Sequence, residues 1–158
     1  MKSSILPDSL KFKFKEKRDG VYHAISTEIG LSNADIQDFL IFASNGNRPI
    51  YRLCLNPLMQ TAVHEMVIVH PKSHEVRPNA QKNRDSVTYT ILEGELTLDK
   101  YCKNGNFEKS FLLSSKEPSG IKMLRVPGDC YRGLKNFGKL IFLETSHGPF
   151  SDDDTHWL

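Results

Sequence analysis

Residues 10–15 read LKFKFK, an alternation of apolar and basic positions. A period of two predicts a half-exposed strand, with Leu10, Phe12 and Phe14 on one face and Lys11, Lys13 and Lys15 on the other. The lysines would keep that strand from pairing with neighbouring chains. Asp19-Gly20 marks a turn before VYHAIS, so the N-terminus is expected to form a β-hairpin with a loop longer than two residues. The pattern then changes. Ile36, Phe39, Leu40 and Ala43 recur at helical spacing and make one apolar stripe. Ser32 is placed to cap this helix, with Asp35 in the capping-box position. Asn45-Gly46 ends it. Such a helix is expected to pack on the outside of a sheet.

After Pro49 the chain becomes a succession of short strands. They are IYRLCL, EMVIV, HEVRP, VTYTIL, ELTLDKY, FEKSFLL, IKMLRV, DCYRGL and KLIFLE. Turn signals separate them at Glu93-Gly94, Asn104-Gly105, Pro118-Ser119-Gly120, Pro127-Gly128 and Phe137-Gly138. Short strands at this spacing predict a mainly β fold, a sandwich or a barrel. The tail ETSHGPFSDDDTHWL reads as polar and irregular, with Asp152 to Asp154 as a solvated loop or a helix start.

Composition narrows the function classes. The chain has 158 residues, 39% hydrophobic and 25% charged, with 21 Lys and Arg against 19 Asp and Glu. One domain of ordinary soluble composition is expected. A net charge of +2 without a nucleic-acid motif does not point to nucleic acid. Cys54, Cys102 and Cys130 are odd in number and widely spaced, so neither a disulfide framework nor a zinc knuckle follows, and reduced thiols in the cytoplasm are expected. The N-terminus has no apolar signal-peptide core. Apolar runs such as FLIFA are far short of the roughly twenty residues a membrane helix needs.

Several segments, in order, carry a resemblance. ADIQDFLIFASNGNRPIYRLCLN is similar to an opening helix and an R-x-C-L-H strand. HEMVIVHPKSHEVRPNAQKN is similar to Q-E-M-L-I…Y-V-R-P-H-x-H. YTILEGELTL, RVPGDCYRGL and ETSHGPF followed by THWL are similar to a strand with an E-G-E turn, to I-P-x-G-x-W-H and to E-T-T-P-G-P-F. From Leu31 onward the chain thus resembles the WbuC-type cupin fold metalloproteins, often associated with O-antigen and other surface-polysaccharide gene clusters. The resemblance implies a cupin-type jelly-roll β-barrel with one N-terminal α-helix, a single cupin domain over 31–158. Residues 1–30 would be an N-terminal hairpin extension.

The resemblance also implies a divalent metal held by three histidines and a glutamate, and here the residues depart from it. The H-x-H positions correspond to Asn79 and Gln81. The glutamate falls on Val87, or on Asp85 or Ser86 with a shifted loop. The last histidine falls on Arg132, and the terminal histidine of R-x-C-L-H is Asn56. Amides are poor transition-metal ligands, valine is none, and a permanent guanidinium repels a cation. No metal and no other cofactor is therefore expected at that site. His64 and His70 share a strand face but stand about 20 Å apart if it is extended, so they cannot share an ion. His23, His74, His147 and His156 show no ligand spacing either.

The resemblance implies a pocket with Asn79 and Gln81 facing inward; strand alternation then sets Ala80 outward, Tyr89 inward and Arg132 on the face opposite Tyr131, and Arg52, Cys54 and Asn56, which share one strand face, are further lining. Arg132 needs a partner. That is an internal carboxylate (Glu65, Glu75 or Glu144) or a carboxylate or phosphate of a ligand. Arg77, Lys82, Arg84 and Lys135 are either a basic rim or a solvated loop. Cys130 is either activated by Arg132 or a buried structural thiol. Three functions follow. The first is a barrel that binds a sugar-like or anionic small molecule without metal. The second is a metal-independent nucleotide-sugar epimerase or isomerase, with Tyr89 as acid and His64 or His70 as base. The third is a metalloprotein with a rearranged site. A homodimer through the LKFKFK strand is an alternative to that hairpin covering its own barrel. No nucleic-acid or membrane partner is expected.

Overall fold

Residues 5–149 and 151–158 are described by a computed structural model. Residues 1–4 of the N-terminal extension and Phe150 of the ETSHGPF segment lie outside them. In chain order the elements are α1 (Asp8–Lys11), β1 (Phe14–Arg18), β2 (Val21–Ala24), α2 (Asn33–Ser44), β3 (Tyr51–Cys54), β4 (Val63–His70), β5 (His74–Gln81) and β6 (Ser86–Glu93). There follow β7 (Glu95–Tyr101), β8 (Phe107–Ser114), β9 (Met123–Pro127), β10 (Tyr131–Asn136), β11 (Leu140–His147), a 3₁₀ turn (Asp152–Asp154) and β12 (Thr155–Trp157). A seven-stranded sheet runs β1-β2-β3-β4-β11-β6-β9, and a five-stranded sheet runs β12-β5-β10-β7-β8.

The turn glycines set the corners. Gly20, Gly94 and Gly105 have φ of 77°, 93° and 87°. That left-handed region is strained for any residue with a Cβ, which is why the Asp-Gly, Glu-Gly and Asn-Gly pairs were readable as turns.

The alternation at residues 10–15 does not make one strand. Residues 8–11 form a helical turn, in which the amides of Leu10 and Lys11 both donate to Pro7 O at 2.9 Å. Leu6, Leu10 and Phe14 are buried together, while Phe12 is 79% exposed. Spacings of two and of four both place Leu10 and Phe14 on one side. Phe12 is the position that tells them apart, and it faces solvent.

The α2 helix begins as its sequence requires. Ser32 Oγ accepts from Asp35 N at 3.2 Å, and Asp35 Oδ2 accepts from Ser32 N at 2.8 Å. The same carboxylate takes Lys13 Nζ at 2.9 Å, which ties the hairpin to the helix. Chiefly through that lysine, the Asp35 pKa is held below the ordinary aspartate value. β2 and β3 are parallel, so they need a crossover, and α2 lies in it. Its Phe39 and Phe42 pack edge-on against Tyr22 and Tyr51. Burying each such ring stabilises the fold by about 2 kcal/mol.

Alternation along β2, β3 and β4 then divides two cores. Tyr22, Leu53, Val67 and Val69 face the helices. A second core lies within the barrel and contains Val87, Tyr89, Leu96, Leu98, Leu113, Val126, Leu134 and Phe142. The tail is more ordered than its polarity suggested. Ser151 caps the 3₁₀ turn, buried Asp154 accepts from Asn83 Nδ2 at 2.6 Å, and β12 pairs with β5. No helix of the described residues is long and apolar enough to cross a membrane.

Candidate functional site

Inward positions form rows across the seven-stranded sheet. One row runs His23, Cys54, Met66, Glu144, Tyr89 through successive pairings. The next runs Val21, Arg52, Ile68, Phe142. Both rows line a cavity of about 510 Å³. The facing wall is Val76, Asn79 and Gln81 of β5, Arg132 and Leu134 of β10, and Thr155 and Trp157 of β12. The β5–β10 register shifts between Arg132 and Leu134, and this irregularity is why Val76 and Asn79, three residues apart, both face inward.

Asn79, Gln81, Tyr89, Arg132, Arg52, Cys54, His64 and His70 all lie in this lining. Asn56 does not. β3 ends at Cys54, and Asn56 turns away, its carbonyl accepting from His23 Nδ1 at 3.0 Å and its Nδ2 donating to Leu58 O at 2.7 Å. Ala80 lies outside the lining and is fully buried. Of Arg77, Lys82, Arg84 and Lys135, read as either a basic rim or a solvated loop, none lies in the lining. Lys82 is exposed, and Lys135 pairs with Glu75 at 3.8 Å. Arg84 is buried and donates to the Ser146 hydroxyl. Arg77 lies outside the lining, its guanidinium 5.2 Å from the centre of the Trp157 ring. The hairpin supplies the charge instead, through Lys17 and Arg18. No local pattern signals this contribution, because the β2–β3 pairing is non-local.

Arg132 is 1% exposed. Its Nε donates to the Tyr89 hydroxyl at 2.9 Å, and its Nη1 to the carbonyls of Cys130, Asn79 and Gly128 at 3.1, 3.3 and 3.3 Å. These partners are neutral. Among the described residues no carboxylate forms an ion pair with it, and Glu65 is exposed. Burial opposes the charge. The Tyr89 oxygen and, from a distance, Glu144 more than offset that, leaving the Arg132 pKa raised. Nη2 has no hydrogen bond among the described residues. Burial in turn pushes the Tyr89 phenol up to about 12, so it is a neutral donor.

Arg52, partly buried, has no hydrogen bond or ion pair on its side chain among the described residues, and burial lowers its pKa. Among the described residues, Lys17, Arg18, Arg52 and Arg132 thus line the cavity against one carboxylate, Glu144. The histidines do not add charge readily. Burial lowers the pKa of His23, His64 and His70, that of His70 to about 4. Burial raises the thiol of Cys130 despite Lys100 and Arg132, so the activated-cysteine reading fails. Burial likewise raises Cys54 to about 11.

No protein-family model and no curated protein matches the sequence. Solved structures do match in shape. A cupin superfamily protein from Desulfitobacterium hafniense superposes with a TM-score of 0.52 at 13% identity, over 68% of this chain and 85% of that one. The Cnp3 cupin domain of Schizosaccharomyces pombe gives 0.50 at 16% identity, over 64% and 66%. Protein SO0799 from Shewanella oneidensis gives 0.53 at 13% identity, and this chain spans 63% of its length. The fold is a cupin fold. At these identities the likeness extends to the fold alone.

Within this cupin barrel, the donors present do not fit a divalent metal of the kind the resemblance implied. The corresponding positions hold two amides, a valine and a buried guanidinium. Among the described residues no three His, Cys, Asp or Glu side chains converge on a point that could hold one.

Proposed function

We propose that this cupin-fold protein binds a small sugar-like or anionic ligand in the barrel without a metal, in the manner of a WbuC-type protein of surface-polysaccharide biosynthesis, and of the two the cavity favours an anion. The carrying observation is Arg52, a cation in the cavity lining with no ion pair among the described residues, in the same cavity as Arg132 on the other sheet. Two guanidiniums facing one cavity suit a carboxylate or a phosphate. A few polar groups among apolar walls suit a small molecule. Calorimetric titration with UDP-glucose, UDP-glucuronate, glucuronate and inorganic phosphate tests this. At least one should bind, more weakly as salt rises. No heat from any of them sinks the reading. Stoichiometric metal in purified protein would favour the rearranged metal site instead.

A metal-independent epimerase or isomerase is the second reading. It is favoured by a neutral Tyr89 phenol in the same row as the Glu144 carboxylate, with His64 one row away as the other candidate base. Solvent deuterium entering a bound nucleotide sugar would establish it. Bound sugar that stays unlabelled would leave a binding module. A cytoplasmic location belongs to the same proposal. So does a homodimer, now through β1, the edge of the seven-stranded sheet, and light scattering of the purified chain would check it.

A further inference from the structure

The tautomers of two cavity histidines can be read from their partners. His70 Nδ1 lies 2.7 Å from Asn136 Oδ1. The Asn136 amide nitrogen is committed to donating, to the carbonyls of Lys72 and Gly138. Oδ1 therefore accepts, and His70 carries its proton on Nδ1. His23 Nδ1 likewise lies against a backbone carbonyl, that of Asn56, which can only accept. Both rings are neutral at pH 7, so each Nε2 is a bare lone pair, with no hydrogen bond among the described residues. Both histidines line the cavity. Two further acceptors join them. Gln81 Oε1 is buried with no partner among the described residues, and Glu144 is the one carboxylate of the lining among them.

A simple anion satisfies the arginines and leaves these acceptors unmet. Each buried acceptor without a donor carries a desolvation cost. Only a guest that brings hydrogen-bond donors as well as negative charge meets both demands. Resting on the anion reading above, we infer that the cavity selects a polyhydroxylated anion, a sugar acid or its equivalent, whose acid group goes to Arg52 and Arg132 and whose hydroxyls donate to His70, His23 and Gln81. Neutral imidazoles held at Nδ1 are fixed acceptors. They discriminate against a guest of the same charge that lacks hydroxyls, because that guest would strand them.

Three probes separate the parts: glucuronate, with charge and hydroxyls; hexanoate, with charge alone; and glucose, with hydroxyls alone. Glucuronate should bind at least about tenfold more tightly than hexanoate, and His70→Phe should narrow that gap. Equal binding of hexanoate overturns this inference and leaves the anion reading intact. Glucose binding as well as glucuronate overturns the anion reading and, with it, the paired recognition. No binding by any of the three overturns both. Nitrogen NMR of the unmodified protein gives a ligand-free test that survives if His70→Phe does not fold. The imidazole of His70 should show its proton on Nδ1, and a proton on Nε2 overturns the inference outright.

Discussion

Arg132 Nε on β10 donates to the Tyr89 hydroxyl on β6 at 2.9 Å, joining the two facing sheets of the barrel through one charge-assisted bond. Arg132→Met would remove it and strand the carbonyls that Nη1 serves. The expected loss is about 3 kcal/mol in urea unfolding, and about 1–2 kcal/mol for Tyr89→Phe. The double variant should lose less than the sum, because both changes break the same bond. Strict additivity would mean that the pair contributes nothing jointly.

Arg52 should behave oppositely. Its guanidinium is partly buried without an ion pair among the described residues, so its charge works against the fold. Arg52→Met is expected to keep or raise the melting temperature while weakening the binding of an anionic probe about tenfold. Loss of stability comparable to that of Arg132→Met would show that Arg52 has a structural partner.

Acid should destabilise the protein through His70. Its folded pKa of about 4 lies below the ordinary 6.5, so the unfolded chain takes up the proton first as pH falls. The stability is fully present above pH 6.5 and is lost progressively toward pH 4, about 3 kcal/mol in all. His23 and His64 are shifted the same way and add to the slope. Urea midpoints that stay flat between pH 7 and 4 would contradict the neutral, buried imidazole.

Gly128 sits where no side chain fits. A Cβ there would stand 1.9 Å from Arg84 O and 2.8 Å from Gln81 O. Its own carbonyl accepts from Gln81 N and from Arg132. Gly128→Ala should cost about 1–3 kcal/mol and weaken ligand binding, since the backbone beside Arg132 must move. Gly138→Ala, with nothing within 4 Å of its Cβ, should change the melting temperature little.

Ser32→Ala removes the hydroxyl that caps α2 and should cost about 1 kcal/mol by thermal unfolding. Asp35→Ala should cost more, because it also releases Lys13.

Local chemistry was legible where the residues themselves decide it. Ser32 and Asp35 were readable as a capping box because the motif spans one turn. The inward phase of Asn79 and Gln81 came from the resemblance, and local strand alternation carried it to their neighbours. Cavity composition was not. Lys17, Arg18 and His23 enter through a parallel pairing between segments separated by a helix, which no local period encodes. Asn56 was misplaced because alternation was extended beyond the end of β3. Phe12 was misplaced because a helical turn and a strand put the same two neighbours inside.

The sequence alone determined that strands, turns and one capped helix would form. These follow from spacing and side-chain chemistry. That amides and an arginine stand at positions of metal-ligating histidines is what the resemblance implied, not what spacing showed. The tertiary structure decided that, among the described residues, Arg132 is held by neutral oxygens rather than by a carboxylate, that the hairpin brings Lys17 and Arg18 to the cavity, and that His70 lines that cavity with its Nδ1 held against Asn136. Each depends on which atoms meet across sheets, and that is settled by pairing between residues remote in the chain.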